Sequence, residues 1–278
     1  MGRPETARRR LIVNADDFGL SSSVNQAVIR AHREGILTTA SLMVNEPGFE
    51  EAVALAKQNP RLGVGLHLTL SHGHSALPAK EIRGLVNERG EFSNEPIATG
   101  LRYFMRREFH DALRREIFAQ FEKFNATGLS LDHVNGHLHF HLHPTIFRIV
   151  MDAAEKFDAR RMRLTRDPFW LNARLASGRW LYRGSHAFIY SCLSRKARGT
   201  LQRRGIRHTH KVFGLLQNAL VDEAYILKLL PRLPYGDSEL YSHPSLDEFK
   251  HEFDALMSER VKSAIREQGI ELIRYQDL

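Results

Sequence analysis

L-I-V-N-A-D-D-F-G, residues Leu11–Gly19, is the stretch that decides the fold. Leu11–Val13 is a short apolar run of the kind buried on both faces, and such strands belong to parallel sheets covered by helices. It ends in Asn14 and an adjacent pair of carboxylates, Asp16 and Asp17. Ser21–Ser23 then offer N-caps for a helix with Val24, Ala27, Val28 and Ala31 on one face and Gly35 as its stop. A second β run covers Leu37–Val44. Pro47 opens another helix, with Phe49, Ala52, Val53 and Ala56 on one face and Asn59-Pro60 after it. Leu62–Leu68 is a third strand, with His67 at its end. The order β-α-β-α-β with short connections predicts a parallel sheet.

The alternation continues to the end of the chain. Helical spacing runs through Arg102–Asn125, and a strand over Leu129–Val134 follows Gly128. Pro144 starts a helix, Met162–Thr165 and Lys211–Leu215 are strand-like, and a helix spans Asp222–Leu230. Glu239–Ser242 is a strand ending at His243-Pro244, Leu246–Gln268 a single long amphipathic helix, and Ile270–Ile273 a last strand. Seven or eight such units, with no repeat and no linker, predict one α/β domain over residues 1–278 built as a closed or nearly closed barrel. An open doubly wound sheet is the alternative, but no Gly-rich phosphate loop follows any strand. Residues 1–10 are basic and expected to form a flexible arm. Residues 71–100 and 167–207 are expected insertions, the second a helical excursion whose aromatic stripe is expected to be core.

The chain has 278 residues, 42% hydrophobic and 26% charged, with a net charge of +8. One cysteine, Cys192, excludes a disulfide framework and a multi-thiolate zinc site. No signal-peptide pattern and no apolar run of membrane-spanning length are present, which predicts a cytoplasmic protein. The arginines cluster at Arg8–Arg10, Arg102–Arg115, Arg160–Arg166 and Arg195–Arg207, a pattern expected of solvated helix faces. Nucleic acid is not the expected partner, because no recognition motif accompanies them.

Leu131–Pro144, L-D-H-V-N-G-H-L-H-F-H-L-H-P, holds five of the fifteen histidines. His137, His139, His141 and His143 alternate with other residues, so an extended backbone would set all four on one face, as for binding a divalent cation. In parallel α/β folds the functional groups gather at the carboxyl ends of the strands. Asp16 and Asp17, His67, His137–His143 and His243 all occupy such ends. One carboxylate and two imidazoles on a divalent ion leave positions open for water and a substrate oxygen. The other carboxylate of the pair is then free as general base, and a histidine on the opposite wall can protonate the leaving group. Amide or ester hydrolysis is the matching reaction class.

These residues resemble a known family. N-A-D-D-F-G at Asn14–Gly19, G-L-H at Gly65–His67, the spaced histidines of His133–Pro144 and E-L-Y-S-H-P at Glu239–Pro244 are similar to the YdjC-like carbohydrate deacetylases. Nearly the whole chain is covered. The resemblance implies a deformed (β/α) TIM-like barrel that removes an N-acetyl group from an amino sugar with one divalent metal ion. It implies Asp17, His67 and His137 as metal ligands, Asp16 as base and His243 as acid. Asn135 stands where many relatives carry Asp, and His139 and His141 are expected to support the ligands or touch substrate. Magnesium is the ion implied by the resemblance, whereas mixed nitrogen and oxygen donors also admit zinc, manganese or cobalt. A homodimer is implied as well. Ala40–Val44 and the histidine stretch are most similar to the hopanoid-biosynthesis branch, which implies an N-acetylglucosaminyl glycolipid as substrate. Peripheral contact between residues 167–207 and the inner face of the membrane is then expected.

Overall fold

The computed structural model describes residues 8–278. In chain order its main elements begin with β1 (Arg9–Phe18), α1 (Ser22–Glu34), β2 (Thr39–Leu42), α2 (Phe49–Lys57) and β3 (Gly63–Leu68). Then come α3 (Pro96–Met105), α4 (His110–Ala126), β4 (Leu131–Gly136), α5 (Pro144–Lys156), α6 (Phe169–Leu175) and α7 (Trp180–Arg203). The last are β5 (Lys211–Phe213), α8 (Glu223–Leu229), β6 (Gly236–Ser242), α9 (Lys250–Met257), α10 (Glu259–Glu267) and β7 (Ile270–Ile273).

Every strand pairing is parallel, in the order β4-β3-β2-β1-β6-β5. β1 is the axis. One edge pairs with β6 over Arg9–Ala15, while the other meets β7 over Arg9–Ile12 and β2 further along. Residues 160–166 occupy the gap between β4 and β5. Val134 N donates to Arg161 O, Arg163 N to Val134 O, and Val212 N to Arg166 O. The predicted Met162–Thr165 strand is therefore in the right place, but only as isolated bridges, Met162 to Val134 and the preceding Arg161 to Arg207. The result is a deformed parallel barrel of seven strands among the described residues, closed by this irregular segment.

Alternation along β1 explains the core. Leu11, Val13 and Ala15 join the main apolar cluster with the helices, whereas Ile12, Asn14 and Asp16 are the alternate set. α1 forms where Ser21 accepts a hydrogen bond from Val24 N and buries Val24, Ala27, Val28 and Ala31.

Several expectations are corrected. His137–Leu142 is a 3-10 turn rather than an extended run, with Leu138 and His139 in the left-handed region at φ 51° and 57°. The four alternating histidines therefore fan out instead of sharing a face. The helix expected over Arg102–Asn125 is two helices, because Pro96 starts α3 early and an extended Arg106 (ψ 100°) ends it. The expected Leu246–Gln268 helix breaks at Ser258, where ψ is 126° and the hydroxyl caps Val261 N. Arg9 and Arg10 begin β1 rather than belonging to an arm, while residues 1–7 of that expectation lie outside the described residues. Residues 167–207 do form a helical excursion, but its aromatic stripe is split: Trp170, Trp180 and Phe188 face outward with Leu181 and Ile189, while Tyr190 packs against the core that includes buried Leu175 and Leu201.

Candidate metal centre and its flanking groups

Alternate residues of the strands fill the barrel with polar groups. Asn14 and Asp16 come from β1, Thr39 and Ser41 from β2, His67 from β3, His133 and Asn135 from β4, and Glu239 and Tyr241 from β6, all buried. Buried polar groups are tolerable only when paired, and here the pairing is dense.

At the carboxyl end of β1 the ladder with β2 shifts register between Ala15 and Phe18, and Asp17 takes φ 62°. The left-handed conformation costs about 1 kcal/mol for an ordinary residue and less for Asp. It separates two neighbouring carboxylates. Asp17 Oδ1 lies 3.2 Å from His67 Nε2 and 3.0 Å from His137 Nδ1. One donor atom from each of Asp17, His67 and His137 lies within 4.8 Å of the others. Donors at ~2.1 Å from a shared ion at tetrahedral or octahedral angles are about 3.0–3.4 Å apart, and both spacings from Asp17 Oδ1 match that. Burial pushes the Asp17 carboxyl up, but the two histidines outweigh it and hold it well below the usual carboxylate range.

The tautomer of His67 is set from behind. Its Nδ1 donates to Asn135 Oδ1 at 2.7 Å, which leaves a lone pair on Nε2 facing the cluster. Asn135 Nδ2 donates in turn to Ser41 Oγ (2.8 Å) and Asp16 Oδ1 (3.2 Å).

Asp16 points to the other side, into a bidentate pair with Arg163. Nη1 donates to Oδ2 at 2.7 Å and Nη2 to Oδ1 at 2.9 Å. Asn14 Nδ2 adds a third donor to Oδ1 at 2.8 Å. Among the described residues Oδ2 accepts from Arg163 alone, so it keeps a second acceptor position. Burial raises the Asp16 pKa, but Arg163, His67 and His243 together lower it far more. Asp16 is therefore ionised throughout the neutral range.

His243, just past β6, has the opposite bias. Burial lowers its pKa, yet Glu252 (Oε2 3.7 Å from Nδ1) and the carboxylates of Asp17 and Asp16 raise it to about 9. Glu252 is itself fixed by Val221 N and His243 N. A protonated imidazolium and an ionised carboxylate thus flank the cluster at neutral pH.

The other histidines stand apart from the donor triad. His139 bonds to Tyr241 Oη at 2.9 Å and Thr165 Oγ1 at 3.3 Å, and burial holds its pKa well down. His141 Nε2 bonds to Arg163 O at 3.0 Å, and burial lowers its pKa to about 3. His143 Nε2 bonds to Gly100 O. His139 and His141 support the turn and the Arg163 segment.

Four residues of this site escaped the sequence reading: Arg163, Ser41, Glu239 and Glu252. Arg163 is completely buried between Asp16 and Glu239, whose Oε1 it meets at 2.6 Å. Polar residues at every second position of otherwise apolar strands were the available signal for Ser41 and Glu239. Nothing marked Arg163 among so many arginines.

A carbohydrate deacetylase of Brevibacillus brevis is 43% identical over 150 residues, covering 53% of this chain and 56% of that protein. One from Geobacillus stearothermophilus is 41% identical, covering 54% and 57%. The aligned part therefore spans little more than half the length of these curated relatives. Among solved structures, a candidate cellobiose-phosphate cleavage protein from Enterococcus faecalis V583 superposes with a TM-score of 0.75 at 25% identity, over 97% of this chain and 98% of that one. The model of the family described as YdjC-like protein matches residues 10–267, and the chain belongs to that family.

Proposed function

We propose that this protein is a metal-dependent hydrolase that removes the N-acetyl group from an amino sugar. The observation that carries the reading is the Asp17–His67–His137 cluster with two acid/base groups at neighbouring strand ends, Asp16 clamped by Arg163 and His243 backed by Glu252. The related proteins named carbohydrate deacetylases support the substrate class.

Asp17, His67 and His137 would hold the cation. Such an ion supplies Lewis acidity, polarising an amide carbonyl and acidifying water. Asp16, through the spare position on Oδ2, takes the proton from the attacking water, while Arg163 keeps the carboxylate aimed and ionised. His243 donates its proton to the amide nitrogen as the C–N bond breaks, and Glu252 holds the imidazole for that transfer. Acetate and a free amine result. Magnesium is the ion in the proposal, although two imidazole donors favour zinc on intrinsic affinity.

We extend the reading to a lipid-linked amino sugar, an N-acetylglucosaminyl hopanoid, delivered from an anionic membrane face. The support is the surface beside the His137–Leu142 turn. α3 reaches it through His143, and α7 through Tyr190 Oη, which donates to Leu138 O at 3.0 Å. Ile97 (80% exposed), Phe104 and Met105 on α3, and Leu181 (92% exposed) and Phe188 on α7, project outward. Arg106, Arg107, Arg195 and Arg198 are exposed on and beside the same helices, a mixture suited to anionic headgroups over acyl chains. No helix of the described residues is long and apolar enough to cross a membrane.

Mass-spectrometric detection of acetate release tests the activity, with and without chelator. Release from N-acetylglucosaminyl lipid but not from N-acetylchitobiose is the expected result. The reverse preference would assign the enzyme to soluble chito-oligosaccharides, and no release from either would end the reading. Flotation with anionic liposomes checks the surface: no binding at low salt removes the membrane contact.

A further inference from the structure

The motif L-D-H-V-N-G contains two residues, Asp132 and His133, that the chemistry above does not use. Both lead to the end of the chain. Asp132 Oδ2 lies 3.0 Å from His133 Nδ1, and its Oδ1 accepts from Gln276 N at 3.0 Å. The His133 ring lies flat on the ring of Tyr275, with centroids 4.4 Å apart and planes at 17°. Gly65 makes room for it: a Cβ there would stand 2.5 Å from the imidazole. His133 Nε2 meets Ser41 Oγ at 2.9 Å, and Ser41 continues to Asn135 and so to His67 Nδ1.

Tyr275 also reaches the other half of the site. It is completely buried three residues before Leu278, and its hydroxyl donates to Glu239 Oε2. Glu239 Oε1 accepts from Arg163 Nε (2.9 Å) and Nη2 (2.6 Å), and the guanidinium clamps Asp16. Ile12 and Ile273 pack beside Tyr275, which places it one layer below Asn14 and Asp16 on β1.

We propose that Tyr275 is a positioning residue for this site. One arm, Tyr275–Glu239–Arg163, sets Asp16, and a second, Tyr275–His133–Ser41–Asn135, sets the ring of His67. The proposal rests on the roles given to Asp16 and His67 under the proposed function. It assigns the Tyr275–Asp277 turn, which is outside the Asp17–His67–His137 cluster, to the working parts of the enzyme.

The two arms separate by substitution. Tyr275→Phe keeps the stack on His133 and removes only the hydroxyl, so kcat should fall about tenfold with KM unchanged and Co²⁺ affinity within twofold of wild type. Tyr275→Ala removes the stack too, and Co²⁺ affinity should then weaken by about tenfold or more, with a changed visible spectrum. If Tyr275→Ala does not fold, His133→Phe keeps the stack, cuts the bond to Ser41, and should weaken Co²⁺ alike. Phe118→Ala, in α4 away from both arms, controls for lost stability and should leave kcat and Co²⁺ affinity unchanged. Wild-type kcat in Tyr275→Phe overturns the first arm, and wild-type Co²⁺ affinity in the second set overturns the other. If the wild type releases no acetate, the deacetylase reading fails while the cobalt titrations still decide the His67 arm.

Discussion

Arg163→Met isolates the energetic centre of the barrel. In the native protein the guanidinium makes four hydrogen bonds, at 2.6–2.9 Å, to two buried carboxylates, Asp16 and Glu239. Methionine matches the length of the stem but leaves both carboxylates without their cation. Removing one member of a buried ionic group costs about 3–5 kcal/mol, since the remaining charges stay desolvated. Taking ~4 kcal/mol and roughly 3 °C per kcal/mol for a chain of this size, Tm should drop by about 12 °C at pH 8. The deficit should also depend on pH. In the wild type Asp16 titrates below an unfolded carboxylate, so its contribution is present above about pH 4 and fades on acidification. In the variant, burial without the guanidinium pushes Asp16 upward, so its charge destabilises more as pH rises. Both trends widen the gap between pH 4 and pH 8. Differential scanning calorimetry across that range is the assay. A Tm within about 2 °C of wild type at pH 8, or a deficit independent of pH, would falsify the view that Arg163 balances two buried charges.

Other perturbations read the chemistry. Asp16→Asn should lower kcat for acetate release by ~10²–10⁴ while leaving cation affinity nearly unchanged, measured by stopped-time product assay and titration; an unchanged kcat removes Asp16 as the base. His243 has a folded pKa of about 9, above its unfolded value, so its stabilising contribution is complete below pH ~6.5 and disappears as pH rises through 9. The rate should likewise be level at neutral pH and fall on the alkaline side. A bound cation, repelling the imidazolium, moves that limb downward, and so does Glu252→Gln. NMR titration of the imidazole in metal-free protein and a kcat–pH profile of both forms check this, and an alkaline limb unmoved by Glu252→Gln would contradict the role of Glu252.

The parallel fold was legible because short apolar runs at Leu11, Leu62 and Ile270 alternate with capped amphipathic helices. The candidate site was legible because Asp16, Asp17, His67, His137 and His243 each follow such a run. Local conformation inside the histidine stretch was not. Period-2 spacing implies a common face only if the backbone stays extended, and the left-handed Leu138 and His139 remove that condition. Ser258 was hidden inside an unbroken amphipathic pattern, since the apolar stripe resumes in phase after the kink. Arg163 and Tyr275 lay outside local reading altogether. Their neighbours Asp16 and Glu239 are 147 and 36 residues away, and an arginine in a basic chain gives no sign that it is buried. Burial of the aromatic stripe over residues 167–207 was overturned for Trp170, Trp180 and Phe188 but not for Tyr190, which packs on the core, because helical spacing is the same whether the partner is core or something outside the chain.

All of the proposed chemistry depends on three distant segments gripping one ion. Calorimetric titration with Zn²⁺ or Co²⁺ of the wild type and of Asp17→Ala, His67→Ala, His137→Ala and His139→Ala measures that directly. One ion per chain is expected for the wild type and for His139→Ala. Each of the first three variants should lose at least ~10²-fold in affinity. Full affinity in any of those three, or a loss in His139→Ala equal to theirs, would contradict the account.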